Sequence, residues 1–319
     1  MPAFIRSSIQ PVALLLVSTV VVASCSSGDK VDNDFDTHVA VPAYSGPGPR
    51  VLFDEGHHNV HRAYKSYRPF VELIESDGYR VAQSTNEIRA EALDGFDVFV
   101  IAAALGDNDV NDEPAFEETE CDAVRDWVAG GGALLLIVDH FPVGDANQRL
   151  ASRFGVQLET GAAEDSVHYD PAFDRTHIVF SRDNGGLGMH PIVEGHDAAT
   201  MIDRVLTFTG TAVYAEPPAV GFLVLTSSAF ARPPQPVVVR DGGDVVVNVA
   251  YGDPVAVPGW SQGLAMEFGK GRVVVLGEAA MLTARLHRFD GRPIGMNTPG
   301  YDNRQLALNI MHWLTRAPE

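Results

Sequence analysis

Two stretches of this chain gather side chains capable of acid, base or ligand chemistry at close spacing. The first is Asp54-Glu55-Gly56-His57-His58, followed by His61, Arg62, Tyr64, Lys65, Tyr67 and Arg68; the second is Asp139-His140, with Glu278 much further along. Carboxylate and imidazole are the ligand types that hold zinc and bring its bound water toward a neutral pKa. Without a metal, the same groups supply a general base and the group that orients it. The candidate catalytic residues are therefore Asp54, His57, Asp139 and His140. Glu55, His58, His61, Tyr64, Arg68 and Glu278 are the candidate ligand-binding residues. The expectation is a site without a cofactor, zinc being the metal these residues would suit. His57 and His61 stand four apart, which puts them on one face only if that stretch is helical. The competing reading of Asp54 and Glu278 is that strand-end carboxylates accept loop amides and hold the loops in place.

The loop His57 to Arg68 carries two arginines, a lysine and three histidines and no acid, in a chain of formal charge -19. Such a local reversal suits a carboxylate or phosphate ligand, aided by the amides that open a helix at Pro69. It equally suits a loop that salt-bridges to the acidic surface around it. Asp107 to Glu113, with Glu118 at the twelfth position, has the alternating oxygens of a calcium loop, but Asp112 stands where a glycine is needed. Helix capping by Asp112 or Glu113 ahead of Pro114 accounts for the same residues. The overall acidity argues against nucleic acid or an anionic lipid surface as the main partner.

The elements that must position these groups read as alternating strands and helices. Short apolar runs at Arg50 to Asp54, Tyr79 to Ala82, Asp97 to Ala102, Ala133 to Val138 and Val273 to Leu276 predict strands, several apolar on both faces as in buried parallel sheets. Helical spacing predicts helices over Pro69 to Ser76, Pro114 to Val128, Asp145 to Phe154 and Asn303 to Leu314. Between about 159 and 271 the rhythm breaks into Gly, Pro and β-type runs, which predicts an antiparallel elaboration; Gln262 to Phe268 and Arg272 to Leu276 predict a hairpin. The fold class is α/β, a flavodoxin-like three-layer sandwich with a mainly parallel sheet. In that order the first strand sits beside the third, so the loops after Asp54, Ala102 and Val138 face one crevice.

The N-terminus reads as an address. Pro11 to Ala23 is apolar, too short to span a bilayer as a helix, and Val22-Ala23-Ser24-Cys25 resembles a lipobox. Residues 1–24 are therefore expected to be a lipoprotein signal peptide and Cys25 the acylated residue. Residues 25–49 are expected to be a flexible tether and 50–319 the domain, with a mature balance of 22 basic against 42 acidic residues. Ser26 after the cysteine points to the outer membrane in a Gram-negative cell.

Several segments resemble class I glutamine-amidotransferase-like domains. They are Phe53-Asp54-Glu55-Gly56-His57, Asp126-Trp127-Val128-Ala129-Gly130-Gly131-Gly132, His190-Pro191-Ile192 with Gly195, Gly271 to Glu278, and the closing Asn309 to Leu314. More narrowly the chain is similar to the bacterial branch related to gliding-motility ABC-transporter proteins and to an intraflagellar-transport subunit. The resemblance implies a nucleophilic cysteine in the turn after Ala133 to Val138, where this sequence has Asp139-His140-Phe141-Pro142, so glutamine hydrolysis is not expected. Cys121 lies in the preceding helix and reads as a buried small side chain. Two functions follow as expectations. One is a non-catalytic envelope domain that binds an anionic or sugar-like ligand or a partner subunit, such as a transporter component, through the His57 to Arg68 loop. The other is an envelope hydrolase using the Asp/His groups.

Overall fold

The computed structural model describes residues 28–106, 114–241 and 244–318. The signal segment, Cys25 and the acidic loop 107–113, with its calcium and capping expectations, lie outside the described residues. Among the described residues no helix is long and apolar enough to cross a membrane.

Nine strands form the central sheet. β1 (Arg50–Asp54), β2 (Arg80–Ser84), β3 (Val98–Ala102) and β4 (Ala133–Ile137) alternate with helices α1 (Arg68–Ser76), α2 (Glu118–Gly130) and α3 (Val143–Ser152). Then come β5 (Gln157–Leu158), β6 (Val213–Tyr214), β7 (Val220–Val224), β8 (Ser261–Phe268), β9 (Gly271–Leu276) and the closing helix α4 (Asn303–Thr315). The spatial order is β2-β1-β3-β4-β9-β8-β6-β5, with β7 also paired to β8. The first five of these run parallel and the rest antiparallel. β3 and β4 are buried along their whole length, which is why their sequences are apolar without alternation. A truncation such as Leu135→Ala inside them would cost about 2–5 kcal/mol.

Local chemistry sets the helix ends. Pro69 opens α1, whose apolar face of Phe70, Val71, Leu73 and Ile74 is buried, while Phe53, Tyr67 and Phe70 meet edge to face at 5.9 to 6.5 Å. α2 begins at Glu118 rather than Pro114. A capping box in which Glu117 and Glu120 serve each other's backbone amides fixes that start, and Gly131 at φ 131° ends the helix.

The region from 159 to 271 is antiparallel as expected. Ala162–Asp165, Ala229–Arg232 and Val255–Ala256 form one small sheet, Val179–Ser181 pairs with Arg204–Leu206, and Pro234–Asp241 pairs with Asp244–Tyr251. β8 and β9 form the expected hairpin and deliver the last parallel strand to the sheet centre.

The expectation of a free tether does not describe residues 28–49, which run along the domain. Lys30–Val31 pairs antiparallel with Ala284–Leu286, the Ala43 amide donates to Asp77 at 2.8 Å, and the Tyr44 ring sits 5.1 Å from Tyr79. Polar composition suggested disorder, but each of these contacts uses backbone groups or a single aromatic, which composition does not weigh.

Candidate functional site

Register places the site. Phe53 pairs with Val100, Ala102 with Ile137 and Ile137 with Leu276, so the carboxyl ends of β1, β3, β4 and β9 emerge on one edge. The expected crevice residues therefore share that edge, and they divide into two clusters.

The first cluster is built on His57. The chain after β1 is a loop, so His57 and His61 do not share a helix face. Asp54 is 1% exposed and accepts from the His57 ring at Nδ1 (2.8 Å), from Asn59 Nδ2 (2.9 Å) and from the Gly56 amide (3.2 Å). On the far side, His57 Nε2 meets Glu120 Oε1 at 3.0 Å. Glu120 also accepts the amides of Ile88 (2.8 Å) and Glu117 (2.9 Å), and Phe116 covers the ring at 4.5 Å. Both imidazole nitrogens face carboxylates, an arrangement that a doubly protonated imidazolium satisfies best. Burial pulls its pKa down, but hydrogen bonds and charge from Asp54 and Glu120 outweigh burial and raise it above the ordinary value. Burial would raise the Glu120 carboxyl, yet the two amides and His57 hold it low. The group ties the loop after β1 to the N-terminus of α2, and both ring nitrogens are already engaged by carboxylates.

The second cluster joins the turn after β4 to the end of β9. His140 Nδ1 faces Asp139 Oδ1 at 2.5 Å and the Thr209 carbonyl at 3.1 Å. A carbonyl only accepts, so Nδ1 carries the proton, and Nε2 is the basic nitrogen of the neutral ring. Burial lowers the His140 pKa, but Asp139, the Thr209 carbonyl and Glu278 together raise it above its ordinary value. Glu278 is fully buried and accepts the amides of Ala280 (2.5 Å) and Met281 (2.8 Å). Desolvation and the negative charge of Asp139 push it up to about 8 against those amides. Close backbone approach positions Thr209: a Cβ at Gly210 would stand 2.4 Å from the Gly277 carbonyl, and Thr211 N donates to that same oxygen at 2.7 Å.

Tyr67 and His61 link the loop after β1 to this second cluster. Tyr67 donates to the Ala279 carbonyl at 2.6 Å, and burial, then the charges of Glu278 and Asp139, raise its pKa well above the ordinary value. His61 is 1% exposed, lies 4.8 Å from the Tyr67 ring and bonds Ser66 at 2.9 Å. Burial and the nearby Arg285 push it down to about 3, so it is neutral. The zinc ligands that composition suggested are thus split between the two clusters. Among the described residues no group of three or more His, Cys, Asp and Glu side chains is arranged to hold a metal ion.

The remaining candidates lie toward the surface. Glu55, a candidate ligand-binding residue, accepts the Ala63 amide (3.0 Å) and Gln83 Nε2 (2.6 Å). His58 is exposed at φ 49°. Tyr64 donates to Glu75 at 2.8 Å, and Arg68 bonds Asn33 and approaches Glu72 at 3.7 Å. The basic loop therefore does pair with local acids, yet Tyr64, Lys65 and Arg68 also line an open cavity of about 540 Å³.

Sequence reading missed Glu120, Thr209 and Arg285. Glu120 was visible only as one acid in a helix. Its role needed the capping geometry of α2 and the arrival of His57 from 63 positions away. Cys121 is fully buried in α2, and burial pushes its thiol up to about 11. It should resist iodoacetamide in the native protein at neutral pH and react only on denaturation, as labelling read by mass spectrometry would show. His190 accepts the Ile192 amide at 3.2 Å and caps a short helix, a structural role.

No family model matches the sequence, and no curated protein matches it. Among solved structures, the mmIFT52 N-terminal domain superposes with a TM-score of 0.59 at 16% identity, over 83% of this chain and 97% of that one. A ThuA-like protein from Parabacteroides merdae ATCC 43184 gives 0.41 at 12% identity, covering 84% and 90%. A GMP-synthase-subunit-A-type protein from Thermoplasma acidophilum gives 0.40 at 10%, covering 84% and 94%. At these identities the first likeness shows a shared fold alone, and the other two are more remote still.

Proposed function

We propose that this chain is a cell-envelope lipoprotein, held to the membrane through acylated Cys25, whose domain binds a ligand and does not catalyse. The domain is read as flavodoxin-like and glutamine-amidotransferase-like without the nucleophile. The parallel order β2-β1-β3-β4-β9 supports this, as do the pairing of α1 with α4 and of α2 with α3 and the likeness to the mmIFT52 domain. The observation that carries the binding reading is the capture of His57 on both sides by Asp54 and Glu120, buried acids that also anchor backbone amides. Residues so engaged are scaffolding for the loop they hold. The ligand is an anionic or sugar-like group, or a partner subunit, received by the His57 to Arg68 face. By its Ser26 after the acylated cysteine, the protein would be sorted to the outer membrane if the cell is Gram-negative.

The test is a thermal-shift series with inorganic phosphate, simple carboxylates and soluble glycans. A ligand at a hundred times its Kd is expected to stabilise the fold by about 2.7 kcal/mol. A flat response to every compound contradicts small-ligand binding.

One observation favours a hydrolase as a second reading. The Asp139-His140 pair has the tautomer of a general base, and the His140 side chain is 17% exposed. If that base works on water, His140→Gln should lower hydrolysis of a responsive ester or phosphoester by about 100-fold or more with an unchanged melting temperature. Equal turnover by the variant and the native protein removes this reading.

A further inference from the structure

The cavity beside the basic loop is lined by Lys30, Asn33, Lys65, Ser66, Arg68 and Arg285, and its acid is Asp29. Lys30 and Lys65 are exposed, whereas Arg285 is 5% exposed and forms part of the floor. The buried Nε–H of Arg68 has no hydrogen bond, although Glu72 lies 3.7 Å away. Four cations, two hydroxyl or amide side chains and an unmet donor suit a phosphate monoanion or diester. Several acids nearby face partners: Asp29 faces Arg285 and Glu72 faces Arg68, each at 3.7 Å, Glu75 takes the Tyr64 hydroxyl, and Asp290, next to Phe289, bonds His287 and Arg292 at 2.7 Å.

Where this cavity sits decides which phosphate. Its wall is the Lys30–Val31 strand docked on Ala284–Leu286, and Lys30 is five residues beyond Cys25. Five residues reach about 18 Å at full extension, so an acylated Cys25 would hold the cavity near the headgroups. Beside it the Arg288 amide bonds Asp29 at 3.1 Å, and the next residue, Phe289, is 76% exposed with the Arg288 guanidinium 4.2 Å over its ring. An exposed aromatic flanked by arginine beside a lipid anchor has the composition of an interfacial contact. The acidity of the chain as a whole argues against an anionic surface, but charges beyond about 8 Å are screened at physiological salt, so the local cations of this cavity decide the contact.

We infer that the face bearing this cavity and Phe289 rests on the membrane, and that the cavity receives the phosphate of an anionic phospholipid. This rests on the lipoprotein reading of Cys25 and names the ligand of that binding domain.

The test uses the acylated mature protein in phosphatidylcholine vesicles, with and without phosphatidylglycerol, read by hydrogen exchange. Residues 28–33, 62–68 and 285–292 should gain protection only when phosphatidylglycerol is present. Lys30→Gln/Lys65→Gln should lose that protection with an unchanged melting temperature, and Phe289→Trp should be quenched by brominated lipid. No added protection with phosphatidylglycerol overturns the proposal. So does equal protection from inorganic phosphate over neutral vesicles, which would assign the cavity to a soluble ligand. Mass spectrometry of Cys25 separates the two failures: an unacylated cysteine overturns the anchor, whereas acylated protein without protection overturns the headgroup site alone.

Discussion

His57→Ala is expected to destabilise the domain by about 3–5 kcal/mol, the range for removing one partner of a buried ion pair. For a domain of this size the loss corresponds to roughly 10 °C in Tm. The change leaves Asp54 and Glu120 as two buried carboxylates without their shared cation, and it opens the space under Phe116. A residue kept for catalysis behaves differently, since its removal commonly leaves stability unchanged or raises it. Denaturant unfolding of the native and variant proteins distinguishes the two. A loss below about 1 kcal/mol would put His57 outside the scaffold, since exposed pairs contribute no more than that.

Stability is expected to peak near pH 6.5 and to fall on both sides. On the alkaline side, Glu278 is pushed up to about 8 and His57 and His140 are raised above 6.5. The folded state therefore holds protons that the unfolded chain releases. That stabilisation is complete below the unfolded values and disappears as the pH rises through the folded ones. On the acid side, His61 is held neutral with its pKa at about 3 and His190 at about 4, so their contribution is present above 6.5 and is lost as the pH falls toward the folded values. Glu120 and Asp165, both held low, act in the same sense at still lower pH. The slope is about 1.4 kcal/mol per pH unit for each proton by which the two states differ. Urea unfolding at about pH 5, 6.5 and 8.5 measures the dome. Glu278→Gln should flatten the alkaline limb, while losing one of the two amide bonds that the carboxylate accepts. A native protein more stable at pH 8.5 than at 6.5 would contradict the buried, protonated Glu278.

Much of the frame was legible because it follows from local pattern. Val51 to Phe53, Phe99 to Ile101 and Leu134 to Ile137 announce buried parallel strands by being apolar on consecutive positions, and Pro69 and Gly131 mark helix ends through backbone geometry. From that frame the strand-end rule brought Asp54, Asp139 and Glu278 to one edge of the sheet, where they lie. What stayed hidden was pairing across long separations. Whether His57 is a base, a ligand or a structural cation depends on Glu120, and nothing in the local sequence ties those two positions. Start positions slipped where two signals competed: Pro114 marked a plausible helix start, but the reciprocal Glu117 and Glu120 bonds place it four residues later. The docking of residues 28–49 escaped because Lys30–Val31 and Ala43 use main-chain bonds that any sequence could make.

The claim that the histidine cluster is scaffolding meets its most direct test in the protonation of His57. Nitrogen chemical shifts of histidine-labelled protein, titrated from about pH 5 to 9, should show the His57 ring, like that of His140, keeping both nitrogens protonated past pH 6.5, and His57→Gln should remove only the first of these signals. If instead the ring assigned to His57 loses a proton at or below pH 6.5, one nitrogen is available as a base or metal ligand, and the catalytic reading replaces the binding one.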